Sequence, residues 1–436
     1  MTDLGPVAPT GGARLSIRQA AFIGIGAMVG AGIFSLLGAA GEVAGAAVWV
    51  SFLLAGLVAG LQGYSFAKFG ARYPSAGGML EYVARGFGNG HTVGVVAWLL
   101  LLANAIVTAM VAVSFGSYAA GAFADASDVW LKVFAVGIVA VMTVLNVVGS
   151  AAVAKVQTFI VYIVLGILTV FAVTSLANLD PDLLAPSTYP PLADIVSSVA
   201  LTFFAFLGFG VVTFTAKDLA DPHRQLPRAM YLALGAATAI YLAVSLGVFG
   251  TLSVDEVIDS GGTALAVAAE PVLGRAGYWL MSVTALFATS GATNAGLYPA
   301  AGLCDHMVEI DQFPPTMAGR IGDRVPMGLA VTAGVAGALV LLFDLSAIAS
   351  IGSTIALVVF ALVTVAHLRA RHETGARSSI LIVALVCTVA VLATFTITTL
   401  VHEPATLVTL AVIVVVSIGL ERSWKRRRPA AQTDAR

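Results

Sequence analysis

Gly24-Ile-Gly-Ala-Met-Val-Gly-Ala-Gly-Ile-Phe34 decides the reading of this chain. The stretch lies inside an apolar segment over residues 17–40, which is long enough to span a bilayer. Gly24, Gly26, Gly30 and Gly32 crowd its centre. A segment serving only as an anchor would carry Leu or Val there, because each helix-interior glycine costs on the order of 0.5–1 kcal/mol relative to alanine. A helix interrupted at that depth leaves backbone N–H and C=O groups to be satisfied. Hydrocarbon tolerates this only where they line a cavity or hold a ligand. The stretch therefore reads as a candidate binding site made of backbone.

The rest of the sequence sets this stretch in a membrane. The 436 residues are 59% hydrophobic and 10% charged, against about 25% charged for a soluble domain. Mean hydropathy is +0.97. Apolar segments fall at 17–40, 44–66, 92–123, 131–150, 154–177, 194–215, 229–252, 275–304, 327–344, 346–368, 379–401 and 405–421. They predict an all-α integral membrane protein with twelve transmembrane helices and no sizeable soluble domain. The third and eighth are the longest and should be the most tilted. Cys304 and Cys387 have no metal-ligand spacing and read as packed free thiols. No cleaved secretory peptide is expected, since the first apolar stretch is too long for one.

Basic residues predict the orientation. With a cytoplasmic N-terminus, the inner loops and the C-terminal tail hold 20 of the 22 Lys and Arg residues. Lys132 and Arg275 are the two outside. The outer loops are acidic, with Asp125, Asp128, Asp180, Asp182, Asp255, Glu256 and Asp259. Both termini are thus expected in the cytoplasm of a multi-pass plasma-membrane protein. The tail Lys425-Arg-Arg-Arg428 reads as an anchor beside anionic lipid, not as a nucleic-acid patch.

A second glycine-broken segment, Phe203-Phe-Ala-Phe-Leu-Gly-Phe-Gly-Val211, lies in the sixth helix, five helices after the first. Five is odd, so the two would cross the membrane in opposite senses. Paired glycine-interrupted segments at matching positions point to a transporter built from inverted repeats. The expected organisation is a tail over 1–14, five-helix repeats over 15–178 and 194–368, two extra helices over 379–421 and a basic tail over 422–436.

Three motifs carry a family resemblance. They are Gly30-Ala-Gly-Ile-Phe34, Tyr73-Pro-Ser-Ala-Gly-Gly78 followed by Glu81-Tyr82, and Asp221-Pro-His-Arg-Gln-Leu-Pro-Arg-Ala229. They resemble the helix-1 motif, the end of helix 2 and the loop after helix 6 of amino-acid permeases. These belong to the amino acid–polyamine–organocation (APC) superfamily. The resemblance runs from about Leu15 to the twelfth helix. It implies the LeuT-like five-plus-five fold, with helices 1 and 6 broken at mid-membrane. It also implies secondary transport of amino acids by alternating access.

An α-amino acid carries a carboxylate and an ammonium on adjacent atoms. A broken helix offers N–H groups at one half's N-terminus and carbonyls at the other half's C-terminus. The backbone N–H groups of Ala31 and Gly32 are expected to take the carboxylate. Glycine at 30 and 32 lets the ligand approach closely. By resemblance, carbonyls of Met28, Phe204 and Leu207 would take the ammonium beside Gly208. Asn104 reads either as a substrate contact or as an interhelical hydrogen bond. Phe204 and Phe206 read as gates or as packing, and Asn294 as a weaker pocket candidate.

No cofactor, catalytic residue or metal is expected. Coupling stays open between H+ and, less favoured, Na+. Sodium-coupled members of the fold use helix-8 hydroxyls, and Thr289 and Ser290 stand at a suitable place. Such hydroxyls more often bond their own i−4 carbonyl. Aligning Gly149-Ser150 with the family puts Val164 where some proton-coupled relatives place a helix-5 lysine. Lys155 is about 13 Å away along a helix. Gly210 occupies the place of a helix-6 glutamate found in some antiporters.

The partners implied are a small-molecule substrate and the lipid bilayer; oligomeric state stays open. A polyamine or organic-amine transporter or exchanger is the alternative, weakened by the lack of carboxylates at depth. A non-transporting sensor ranks below it. The six histidines lie at helix ends and in loops, which disfavours an enzyme.

Overall fold

A computed structural model describes residues 15–30, 32–73, 78–88, 90–124, 127–148, 151–322 and 324–427, with backbone alone for 151–158, 217 and 427. Ala31, Gly149, Ser150, the 74–77 part of the second motif and the end of the basic tail lie outside the described residues.

Helix α1 (Ile17–Val29) opens on a capping box in which Ser16 accepts from the Gln19 amide and the Gln19 side chain returns to Ser16. There follow α2 (Ile33–Ala44), α3 (Val48–Arg72), α4 (Met79–Phe87), α5 (His91–Phe123), α6 (Asp128–Val148), α7 (Ala151–Ala177) and α8 (Leu192–Phe204). A 3-10 helix, Leu207–Asp218, continues from α8. The remainder comprises α9 (Pro222–Phe249), α10 (Val254–Ser260), α11 (Ala264–Leu297), α12 (Pro299–Glu309), α13 (Met327–Leu342), α14 (Leu345–Thr374), α15 (Ser378–Thr398) and α16 (Pro404–Arg427). Arg320–Ile321 and Val325–Pro326 form a short antiparallel pair.

Among the described residues, nine helical stretches are long and apolar enough to cross a membrane. That number is not the expected twelve, for physical reasons. The first expected segment is divided between α1 and α2, and α1 alone has 13 residues. The stretch Ile33–Arg72 runs 40 residues, about 60 Å at 1.5 Å per residue and twice a hydrocarbon core. It bends through a 3-10 turn at Gly45–Ala47. α11 has 34 residues but holds Pro271 and a non-helical Gly274 with φ 69°.

Charge separates along the bundle. α3 and α9 run antiparallel: Gly56 meets Thr238, Gly63 meets Leu234 and Gly70 meets Leu226. Gly86 of α4 packs against Ala366 of α14. Arg72, Arg85, His223 and Arg369 therefore share one end. At the other, Gly38 touches Gly261, Gly41 touches Phe249, and the Asp180 amide donates to the Gly250 carbonyl at 2.8 Å. The acidic residues Asp180, Asp182, Asp255 and Asp259 gather at this end.

Candidate functional site

The two glycine-broken segments lie against each other and run antiparallel. The Leu15 amide donates to the Asp218 carbonyl at 2.9 Å. A Cβ on Gly24 would strike Val212. One on Gly208 would stand 2.5 Å from the Ala27 carbonyl oxygen and 2.6 Å from the Met28 nitrogen. One on Gly32 would stand 2.5 Å from the Ala205 Cβ. Further along, Ser198 Oγ donates to the Ala40 carbonyl at 3.3 Å. Partners ascend one segment while they descend the other. Backbone meets backbone at the crossing, and only glycine allows that approach.

The two interruptions differ in kind. In the first, Gly30 and Gly32 both keep right-handed helical angles. The Gly30 amide donates to the Gly26 carbonyl at 3.2 Å and the Gly32 amide to the Met28 carbonyl at 3.1 Å. Sequence reasoning expects the Gly32 amide and Met28 carbonyl to face substrate; here they are bonded to each other. In an apolar interior each backbone polar group takes a partner. The Gly32 carbonyl accepts from the Ser35 and Leu36 amides, and no side chain caps α2.

In the second, α-helix gives way to 3-10 helix. The Ala205 and Phe206 amides donate three residues back, to Thr202 and Phe203 at 3.1 and 2.9 Å. The 3-10 run then continues for 12 residues, although such runs seldom exceed about 3–4 and often mark hinges. Thr213 and Thr215 hydroxyls donate to the carbonyls of Gly210 and Val212, also three residues back. The Tyr241 hydroxyl donates to the Ala205 carbonyl at 3.0 Å. Its ring meets Phe206 edge-on, with centroids 5.0 Å apart.

Met28, Phe204 and Phe206 are buried, while Leu207 and Gly208 are half-buried. The Phe204 ring lies on Gly352 of α14. Asn104 donates to the Gly296 carbonyl of α11 at 2.5 Å. Asn294 accepts from Asn146 of α6 at 2.8 Å. Both amides thus make interhelical hydrogen bonds.

Thr289 and Ser290 hydroxyls each donate to a carbonyl one turn back, Ala285 and Leu286, at 2.6 Å. The face of α11 near Gly30 consists of the Ala288 carbonyl and the Ala292 methyl. Val164 is buried one turn beyond Val161, whose methyl stands 2.8 Å from the place of a Gly26 Cβ. That contact with α1 is apolar. Nearest to a Gly210 Cβ is the Phe66 ring at 3.7 Å.

Two residues of consequence escape sequence reasoning. Tyr241 ties α9 to the point where α8 changes helix type. Gln62 of α3 joins three helices: its Nε2 donates to Thr388 Oγ1 at 2.6 Å and its Oε1 accepts from Thr364 at 2.8 Å. The available signal is a lone polar group inside an apolar segment, which in lipid needs a partner.

Comparison with known proteins identifies the family. A family profile described as amino acid permease matches residues 15–420. The inner membrane transport protein YbaT of Escherichia coli (strain K12) is 33% identical over 86% of this chain and 87% of its own. The vacuolar cationic amino acid transporter 2 of Arabidopsis thaliana is 26% identical over 82% of this chain and 60% of its own. The methylthioribose transporter of Bacillus subtilis (strain 168) is 25% identical over 55% of each. With the match covering nearly the whole length of an all-helical, membrane-spanning chain, this protein belongs to the amino acid permease family, a family of transporters and not of enzymes.

Proposed function

We propose that this protein is a secondary transporter that moves amino acids across the plasma membrane by alternating access. In this reading twelve helices cross the bilayer. The first ten form two inverted five-helix repeats, α15 and α16 stand outside them, and both termini are cytoplasmic. The observation that carries the reading is the antiparallel crossing of the interrupted segments at Gly32–Ala205 and Ala27–Gly208. Such paired breaks are how transporters present backbone to substrate.

The uncapped first turn of α2 offers N–H groups and a positive dipole end to a carboxylate. The last turn of α1 and the 204–207 carbonyls offer acceptors to an ammonium. Substrate would replace the bond between the Gly32 amide and the Met28 carbonyl, each group exchanging one partner for another. Ala31 belongs to the same proposal. Back-bonding of Thr289 and Ser290 and the apolar Val164 favour neither sodium nor a helix-5 lysine, so coupling to H+ through another group, or exchange, fits better.

A methylthioribose transporter among the relatives supports a second reading, an organic solute that lacks the zwitterion. Uptake of radiolabelled amino acids into proteoliposomes tests both. The expected result is saturable uptake that is abolished by Gly32→Leu. Undiminished uptake in that variant defeats the backbone site. Uptake of methylthioribose with no amino-acid uptake favours the second reading.

A further inference from the structure

A cavity of about 260 Å³ opens at the basic end of the bundle, between the last turns of α3 and α14 and the first turns of α9. Ala67 and Ala71 form its apolar floor, and Lys68, Arg72, His223 and Glu373 surround it. Among the described residues, none of the lining comes from α1, α2, α8 or the 3-10 helix. The cavity is therefore separate from the crossing of the interrupted segments, and what it binds is independent of the transport reading.

Its charge is unbalanced. Lys68 and Arg72 carry two fixed positive charges against the single carboxylate of Glu373. That carboxylate already accepts the Tyr73 hydroxyl. Among the described residues, neither Lys68 nor Arg72 takes part in an ion pair. Lys68 is half-buried, and an ammonium partly removed from water without a counter-ion is costly.

α9 contributes the His223 ring to the lining, while its own N-terminus is already capped by the Asp221 carboxylate, which accepts from the Arg224 amide at 3.3 Å and pairs with the Arg224 guanidinium. The carbonyl ends of α3 and α14 oppose the cations, and the two basic residues on the last turns of α3 offset α3's own end. Among the lining side chains the two cations outnumber the single carboxylate by one. An ammonium, a planar guanidinium and an imidazole around one space suit a tetrahedral oxyanion, which accepts hydrogen bonds from several directions.

We propose that this cavity binds a phosphoryl anion, either free in solution or carried on a lipid headgroup. The test is thermal unfolding of the full-length protein in two settings. In an uncharged detergent, sodium phosphate replaces chloride at constant ionic strength. In vesicles, phosphatidylcholine is compared with a phosphatidylcholine–phosphatidylglycerol mixture.

Saturable stabilisation by phosphate, with a midpoint raised roughly tenfold or more in Lys68→Gln/Arg72→Gln, supports the free anion. Stabilisation only by phosphatidylglycerol, lost in the same variant, supports the headgroup. Arg72→Gln alone alters an exposed side chain that, among the described residues, makes no hydrogen bond and lies 5.8 Å from the centre of the Tyr73 ring. It serves if the double variant does not fold, and it should weaken the response by a similar factor. Lys132→Gln, at the opposite end, is expected to respond as wild type. The proposal is overturned if neither probe stabilises the protein, if the Arg72 variant responds as wild type, or if Lys132→Gln loses the response equally.

Discussion

Tyr241 and Gln62 are both polar residues buried in apolar surroundings, yet their removal should differ in effect. Tyr241→Phe deletes the hydroxyl that the Ala205 carbonyl accepts. The change leaves that buried oxygen short of a partner, at a cost of about 1–3 kcal/mol. Gln62→Leu removes two interhelical bonds, but Thr388 and Thr364 keep bonds to the carbonyls of Ala384 and Phe360. Its cost should be nearer 0.6 kcal/mol per bond, as for hydrogen bonds between membrane helices. Thermal unfolding of the two variants in the same detergent checks the order; a Gln62 variant less stable than the Tyr241 variant would contradict it. Gly24, Gly32 and Gly208 were legible in the sequence because a glycine cluster in a spanning helix is locally unfavourable. Tyr241 was not, because nothing near it in sequence reveals a carbonyl 36 residues away.

Two elements depart from what their sequences imply. Periodicity does not distinguish an α-helix from a 3-10 helix over Leu207–Asp218. The change of helix type follows from packing: Gly208 must approach Ala27 and Met28, and Tyr241 accommodates the carbonyl of Ala205. α16 carries no sign in its apolar run of how its end is fixed. There Glu421 is almost fully buried against Gly94 of α5, 2.8 Å from Lys425 Nζ and 2.7 Å from His91 Nδ1. Removing the Glu421 carboxylate strands the largely buried Lys425 ammonium. Glu421→Ala should therefore loosen α16 from α5, costing about 1–3 kcal/mol because His91 is exposed and solvent screens it. Hydrogen exchange over 404–427 is expected to accelerate in the variant. Unchanged protection would show that apolar packing alone holds α16.

At the scale of the whole molecule, charge segregation was the most legible property, since a count of Lys and Arg along the sequence already divides the loops. The structure places Arg72, Arg85 and His223 at one end and Asp180, Asp255 and Asp259 at the other. This predicts the outcome of site-directed labelling. In a Cys387→Ser background, with Cys304 buried, Ser260→Cys should react with a membrane-impermeant maleimide in intact cells. Ala376→Cys should react only after the membrane is opened. The reverse pattern would invert the orientation. The number of crossings was less legible, because hydropathy registers apolar length and not where one helix ends and another begins. α2 and α3 make one 40-residue stretch, while α1 is too short to register alone.

The antiparallel pair has a mechanical consequence. Its arms reach from the Leu15–Asp218 bond at the basic end to the Ser198–Ala40 bond at the acidic end. Its tightest contact, glycine on backbone, lies between them at Gly32–Ala205 and Ala27–Gly208. Rocking one segment over that contact, in the plane the two share, would lengthen the hydrogen bond at one end while compressing the other.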